Sequence, residues 1–467
     1  MRFNSMPFIT RQTAPSGHTD VRRFYHLSAM GKKKKKTRLT EHQQHKLEDA
    51  QRRKIYLKRL VDMLKELGYD SVMELLTPKL LEELWLSRTG LARIDLSQAT
   101  HFDKKDQQYI QREVYFLFNT NKVPLRDQTD AGREILISDF YEIWLPMMLS
   151  ISHDSIKQTE TNTKILLREA LKEYGIDLER GATDDAPTYL ANVFTEMEDN
   201  YKSCLLSFAF QFNNPCMHYF WVSRMEYSSH SRRLNRYITF RSLDPVYIIG
   251  PGIKGSRRRI YRVGYPTLGS QEGEIRWLSA KIPRNPYVYF NPDIEYEVYI
   301  QEHAVKRMFE RLDGVFPASV NIHMHFCFLD WKADWYKGSL IIAFDLYGQK
   351  VGYFLADFTA DRKIIIRTFY FITYDRTPEG EALASYAGLQ ASDKKYLGID
   401  RLSTFLASDF DKDSRFASLC REAGLGHLLD LSDVRLASDA EGSEAKSISN
   451  DFIEKYLSEL EEGGSAQ

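Results

Sequence analysis

Cysteine is scarce in this chain: four among 467 residues, at Cys204, Cys216, Cys327 and Cys420, far apart and without a Cys-x-x-Cys pair. That spacing excludes a disulfide framework and a standard zinc knuckle, and it fits a reducing compartment. Net charge is lacking as well, because Lys+Arg and Asp+Glu both number 64. No window approaches the roughly 20 consecutive apolar residues that span a bilayer. The first residues lack the apolar core and cleavage site of a secretory signal, so a cytoplasmic protein without a membrane segment is expected. No P-loop, Gly-x-Ser-x-Gly elbow or His-Glu-x-x-His helix occurs, which removes the commonest NTPase, hydrolase and metalloprotease signatures. No cofactor is expected. No fixed-period repeat joins the helical segments, so a solenoid is not supported.

What is present is length, aromatic content and uneven charge. A chain of 467 residues exceeds the size at which one core keeps growing, so several domains are expected. Residues 32–65 carry thirteen basic and four acidic side chains, residues 224–262 ten and two, and residues 430–467 three and ten. Five segments follow from these shifts: a disordered basic arm over 1–36, an α-helical region over 37–200, a β-rich region over 201–294, an α/β module over 295–391, and helical segments with an acidic tail over 392–467. The fold class is α+β. Thr40 with Gln43 reads as a capping box, and the following helix stops at Gly68. Pro78 opens another helix in the favoured first-turn position. Arg133 to Leu149 reads as a helix that Pro146 disturbs. From Leu205 to Phe212 onward the β-branched and aromatic composition reads as strand, forming either two sheets or one large mixed sheet.

The most chemical stretch is Tyr299 to Leu312, read as one amphipathic helix. Ala304, Val305, Met308, Phe309 and Leu312 fall on one arc, and His303, Lys306, Arg307, Glu310 and Arg311 on the other. A histidine that titrates near neutral pH beside guanidinium groups suits a phosphodiester, whose cleavage needs a proton carrier and cations that absorb developing charge. The alternative is a solvated helix face with an internal Arg–Glu pair. Strict alternation from Asn321 to Cys327 would set His323, His325 and Cys327 on one strand face, a weak candidate for a metal. Earlier in the chain, Arg232, Arg233 and Arg236 precede Lys254, Arg257, Arg258, Arg259 and Arg262 among tyrosines. Arginine beside aromatics suits phosphate contact and base stacking. A solvated hairpin, or an acceptor for the acidic tail, fits the same residues.

The order of elements around His303 resembles the RelE/ParE-like toxin superfamily, especially its BrnT-like branch. A strand leads to a helix reading His-Ala-x-x-Arg-Met-x-x-Arg, then to several strands ending in the β-branched run Lys363 to Tyr370. The resemblance covers residues 296–373. It implies a metal-independent endoribonuclease built from basic and aromatic side chains, with His303, Arg307, Arg311, Arg367 and Tyr370 at the matching positions. Many relatives in that superfamily are non-catalytic. Two functions are therefore expected from the sequence: a nucleic-acid-binding protein acting on RNA or DNA, or an interaction or assembly protein whose helical N-terminal region or acidic tail holds a protein partner.

Overall fold

The computed structural model describes residues 40–90, 92–99, 104–125, 133–152, 162–178, 189–228, 233–251, 257–268, 272–285, 293–431, 434 and 448–464. The arm over 1–36, the strand expected over 287–290 and the linker over 437–446 lie outside them. Residues 1–58 and 59–467 form two units. In the first, the described residues are helix, opened by the expected reciprocal cap: Thr40 N–H donates to Gln43 Oε1 at 3.0 Å and Gln43 N–H to Thr40 Oγ1 at 3.4 Å. This helix, α1, covers Glu41–Glu66 and so runs into the second unit.

The second unit continues with α2 (Asp70–Glu74) and α3 (Pro78–Ser87), then a strand, β1 (Arg93–Gln98). There follow α4 (Lys104–Thr120), the short β2 (Lys122–Pro124) and β3 (Glu134–Leu136), and α5 (Ile137–Asp139). A π-helical turn over Phe140–Trp144 joins α5 to α6 (Leu145–Ser152). The widened turn sits where the ring of Pro146 would meet the carbonyl four residues back. After α7 (Asn162–Glu173) comes α8 (Tyr189–Phe212), which contains the segment expected to be a strand from Leu205. Tyr201, Leu205 and Phe208 are all buried and sit three to four residues apart. That spacing lines one side of a helix, so aromatic composition alone misleads there.

Strands then dominate: β4 (His218–Ser228), β5 (Arg233–Leu243), β6 (Tyr247–Pro251), β7 (Arg257–Arg262), β8 (Gly264–Leu268), β9 (Gly273–Trp277), β10 (Ser279–Lys281) and β11 (Glu295–Gln301). Two helices, α9 (Glu302–Arg311) and α10 (Pro317–Leu329), precede β12 (Ala333–Tyr336), β13 (Ser339–Leu346), β14 (Gln349–Phe358) and β15 (Lys363–Phe371). The chain closes with α11 (Pro378–Ala387), α12 (Ala391–Tyr396), α13 (Leu402–Ala407), α14 (Arg415–Glu422) and α15 (Asn450–Gly464). The fold is α+β.

Among the described residues, the largest sheet runs β12-β13-β14-β15-β11-β7-β6, with β10 also paired to β11. Its β11 and β15 are parallel and their neighbours antiparallel. A separate three-stranded sheet, β1-β5-β4, draws β1 from among the helices. One buried cluster extends from Tyr261 to Leu457 and takes in Val298, Ile300, Ala304, Met308, Phe344, Phe354, Ile366 and Phe369. No described helix is long and apolar enough to cross a membrane.

Candidate functional site

Tyr299 to Gln301 belong to β11 rather than to the helix, because Val298 and Ile300 alternate into the core while the helix starts at Glu302. The helix α9 carries an acidic residue in its first turn and Arg311 in its last, matching the helix dipole at both ends. Ala304, Val305 and Met308 are buried. That anchoring leaves His303, Arg307 and Arg311, at spacings of four, on one line along the side of the helix. All three border a cleft of about 240 Å³ whose remaining lining is Thr368, Phe369, Tyr370, Phe371, Tyr374 and Asp400.

Charge within the cleft is arranged in two ways. Arg307 donates to Glu310 at 2.8 Å, and both side chains are about four-tenths exposed (43% and 40%). Arg311 is bonded to Asp400, whose side chain is only 8% exposed, so this pair is part of the cleft wall. Burial of His303 lowers its pKa, and the charges of Arg307 and then Arg258 act in the same direction. The imidazole is therefore neutral near pH 7 and able to accept a proton.

The opposite wall is set by an irregularity in β15. Leu355 pairs with Thr368 but Ala356 pairs with Ile366, which leaves Arg367 as the extra residue of a β-bulge. Before it Ile364 and Ile366 are buried, and after it Phe369 and Phe371 are. Tyr370 stacks on Tyr374 with centroids 4.5 Å apart and planes at 15°. Arg376 Nη1 approaches the Tyr370 hydroxyl at 3.5 Å. Arg367 itself does not border the cleft: it is exposed and pairs with Asp357 at 2.7 Å. His303, Arg307, Arg311 and Tyr370 come together, and Arg367 is separated from them by the bulge.

The basic residues of the β-rich region divide. On β7, Arg257 and Arg259 are exposed, and Arg259 lies over the Tyr247 ring at 5.4 Å. Arg258 is close enough to His303 to contribute to its lowered pKa, and it donates to Gln301 at 3.4 Å. Arg262 is held by Glu297 at 2.9 Å and covers Trp277. Arg236 is a correction. It is buried, bonded to Glu198 and enclosed by the Tyr141 and Tyr201 rings at 4.3 and 4.0 Å, so it cannot reach a nucleic acid. Arg233 begins β5. Arg232 and Lys254 lie outside the described residues.

The expected histidine strand is also corrected, since residues 317–329 form α10 with Pro317 in the first turn. Its residues are buried nearly all round, which removes the amphipathic period that identifies a helix and leaves an accidental alternation. On a helix, His323 and His325 point about 200° apart. His325 Nε2 meets the Asn213 carbonyl at 2.8 Å, whereas the His323 ring packs on Tyr347 at 4.5 Å. Burial pushes the Cys327 thiol up, away from the thiolate a metal takes. Among the described residues, no group of three or more His, Cys, Asp or Glu side chains could hold a metal ion.

Sequence reasoning missed Tyr374, Thr368, Arg376 and Asp400. The first three were near at hand, just beyond or inside the quoted strand, while Asp400 comes from a distant loop and gave no signal. No family model matches the chain, and neither a curated protein nor a solved structure matches it significantly.

Proposed function

We propose that the chain binds single-stranded RNA, with the α9–β15 cleft as the seat of a phosphodiester, and acts as a metal-independent endoribonuclease of RelE/ParE toxin type. The observation that carries this reading is the meeting of a neutral histidine, two arginines and a tyrosine pair in one open cleft. His303 takes the proton of a ribose 2′-hydroxyl, and that oxygen attacks the adjacent phosphorus. The new O2′–P bond forms as the P–O5′ bond breaks, and the departing 5′-oxygen takes a proton from water. Arg307 holds the phosphorane oxygens as charge builds on them. Its present partner is no obstacle. An exposed pair such as Arg307–Glu310 is worth about 0.2–1 kcal/mol, less than the ~1.5–3 kcal/mol of a hydrogen bond to a charged phosphate. Arg258 on β7 adds positive charge beside His303, and Arg257 and Arg259 stand exposed on the other face of that strand. Around His303 the order is strand, two helices and four strands, where the resemblance to the RelE/ParE group expects one helix between strands.

One observation favours a second reading, a non-catalytic interaction or assembly protein. Arg311 with Asp400 and Arg307 with Glu310 are already neutralised inside the chain. A labelled single-stranded RNA titrated at about 50 mM salt separates the two, since electrostatic binding is strongest there and falls as salt rises. The proposal expects salt-sensitive binding and cleavage that persists in EDTA, stops with 2′-deoxy substrate, and is lost in His303→Ala. Binding without cleavage would leave the interaction reading. No binding would remove the nucleic-acid reading altogether.

A further inference from the structure

The cleft wall formed by β15 carries main-chain groups that the ladders among the described residues leave over. Ile372 N–H donates to the Val351 carbonyl at 2.9 Å, which sets the phase of the β14–β15 ladder. With Tyr370 opposite Tyr353 and Thr368 opposite Leu355, alternate residues of an antiparallel ladder bond inward. Thr368, Tyr370 and Ile372 turn their N–H and C=O toward β14, and Phe369 and Phe371 turn theirs away. On that other side β11 pairs with β15 only as far as Ile366. Beyond it stands the polar side of α9, with the cleft between. The Phe371 carbonyl accepts from Tyr374 N–H at 2.9 Å. Among the described residues, what remains open is the N–H and C=O of Phe369 and the N–H of Phe371. Phe369 and Phe371 are 2% and 1% exposed, and nearly buried main-chain groups of this kind are almost always paired.

We propose that these groups read the hydrogen-bonding edge of one unpaired nucleobase, a selectivity element that rests on the RNA-binding reading of the same cleft. A carbonyl at one residue and an N–H two residues on present an acceptor beside a donor. Every common base offers the complementary pair, such as the N3–H and O4 of uracil. The alternative occupant, an added polypeptide strand, fits less well. Only three groups are open, and the cavity, at about 240 Å³, falls below the ~300 Å³ at which pockets for drug-sized ligands begin. The Tyr370–Tyr374 stack supplies an aromatic surface bordering the same space, which suits a flat base and not a peptide backbone.

The test compares three short labelled oligomers by fluorescence anisotropy: oligouridine, the same oligomer methylated at every N3, and an abasic ribose-phosphate chain. Methylation removes the N3–H and blocks the edge while leaving the ring free to stack. The expected result is affinity at least about tenfold weaker for the methylated oligomer, with the abasic chain retaining weak, salt-sensitive binding. In protein labelled with ¹⁵N-phenylalanine, the Phe369 and Phe371 amides shift on adding oligouridine and stay in place with the methylated form. Equal affinity for oligouridine and its methylated form, or unmoved amides while oligouridine binds, overturns edge reading and leaves RNA binding intact. Failure of all three oligomers to bind overturns both.

Discussion

Arg236 and Arg307 each have one carboxylate partner, yet they sit in opposite environments. Arg236 is 3% exposed, shares Glu198 with the Tyr141 hydroxyl and lies between two tyrosine rings, so its guanidinium is held inside the protein. Arg307 is 43% exposed and bonded to a glutamate one turn along its own helix. The histidines divide the same way. His218, His323 and His325 are buried, whereas His303 borders an open cleft. A charge count treats all of these alike. What distinguishes structure from site is whether the group's partners come from packing that folding requires or from a neighbour a ligand can displace.

The buried side of that comparison is tested most strongly by acid. Burial lowers His218, His323 and His325 from 6.5 to about 4, so all three are neutral in the native protein and gain protons on unfolding. Their effect on stability is absent above pH 6.5. It grows as pH falls toward 4 and levels off below. Each is worth on the order of 3 kcal/mol. Denaturant titrations across that range should show a loss of several kcal/mol. Because neither ring nitrogen of His218 has a hydrogen-bond partner among the described residues, His218→Phe should keep its neutral-pH stability and lose less in acid. An unchanged acid loss would mean that this ring is not held neutral by the fold.

The next contrast compares the two arginines directly. Arg236→Ala leaves the half-buried Glu198 with the Tyr141 hydroxyl alone and empties the space between two tyrosine rings, and should destabilise by about 2–4 kcal/mol. Arg307→Ala removes an exposed pair and should change stability by less than about 1 kcal/mol, while weakening RNA binding. Similar denaturation midpoints for the two variants would erase the distinction. A smaller effect concerns His303, which must be neutral to take a proton. Cleavage should rise with pH through a midpoint below 6.5 and then level. Arg258→Ala removes one of the positive charges that lower this midpoint and should move it upward, read from the pH–rate profile.

Much of the cleft was legible because α9 obeys a simple rule: its apolar and polar residues separate by helical spacing, and so His303 and Arg307 could be put on one polar stripe without coordinates, with Glu310 as the third member where the cleft has Arg311. The α+β class was legible from the change in period near residue 200, although the last turns of α8 were not, since a buried helix rich in Phe and Leu has a strand's composition. The identity of α10 was hidden for a related reason. A helix buried on almost every side has no polar face to mark its period, and chance alternation at His323 and His325 took its place. Asp400 and the pairing of β1 with β5 depend on contacts between distant segments, which no local pattern encodes. Arg367 was placed with Tyr370 by the resemblance alone, and the bulge that separates them leaves no trace in residue type.

That bulge yields the smallest expected effect and the sharpest use of the comparison. Arg367 was grouped with Arg307 because the resemblance puts both at matching positions, and in an unbroken strand a residue at its position would alternate regularly with its neighbours. The extra residue shifts the alternation, so burial moves from Ile364 and Ile366 to Phe369 and Phe371, and Arg367 turns to Asp357, itself 48% exposed. An exposed pair of this kind contributes about 0–1 kcal/mol. Arg367→Ala should therefore leave stability within about 0.5 kcal/mol of the parent and should leave cleavage and oligouridine affinity unchanged, where Arg307→Ala reduces both. Loss of cleavage in Arg367→Ala at unchanged stability would show that β15 rearranges when RNA binds, bringing Arg367 to the phosphate and making the bulge part of the mechanism.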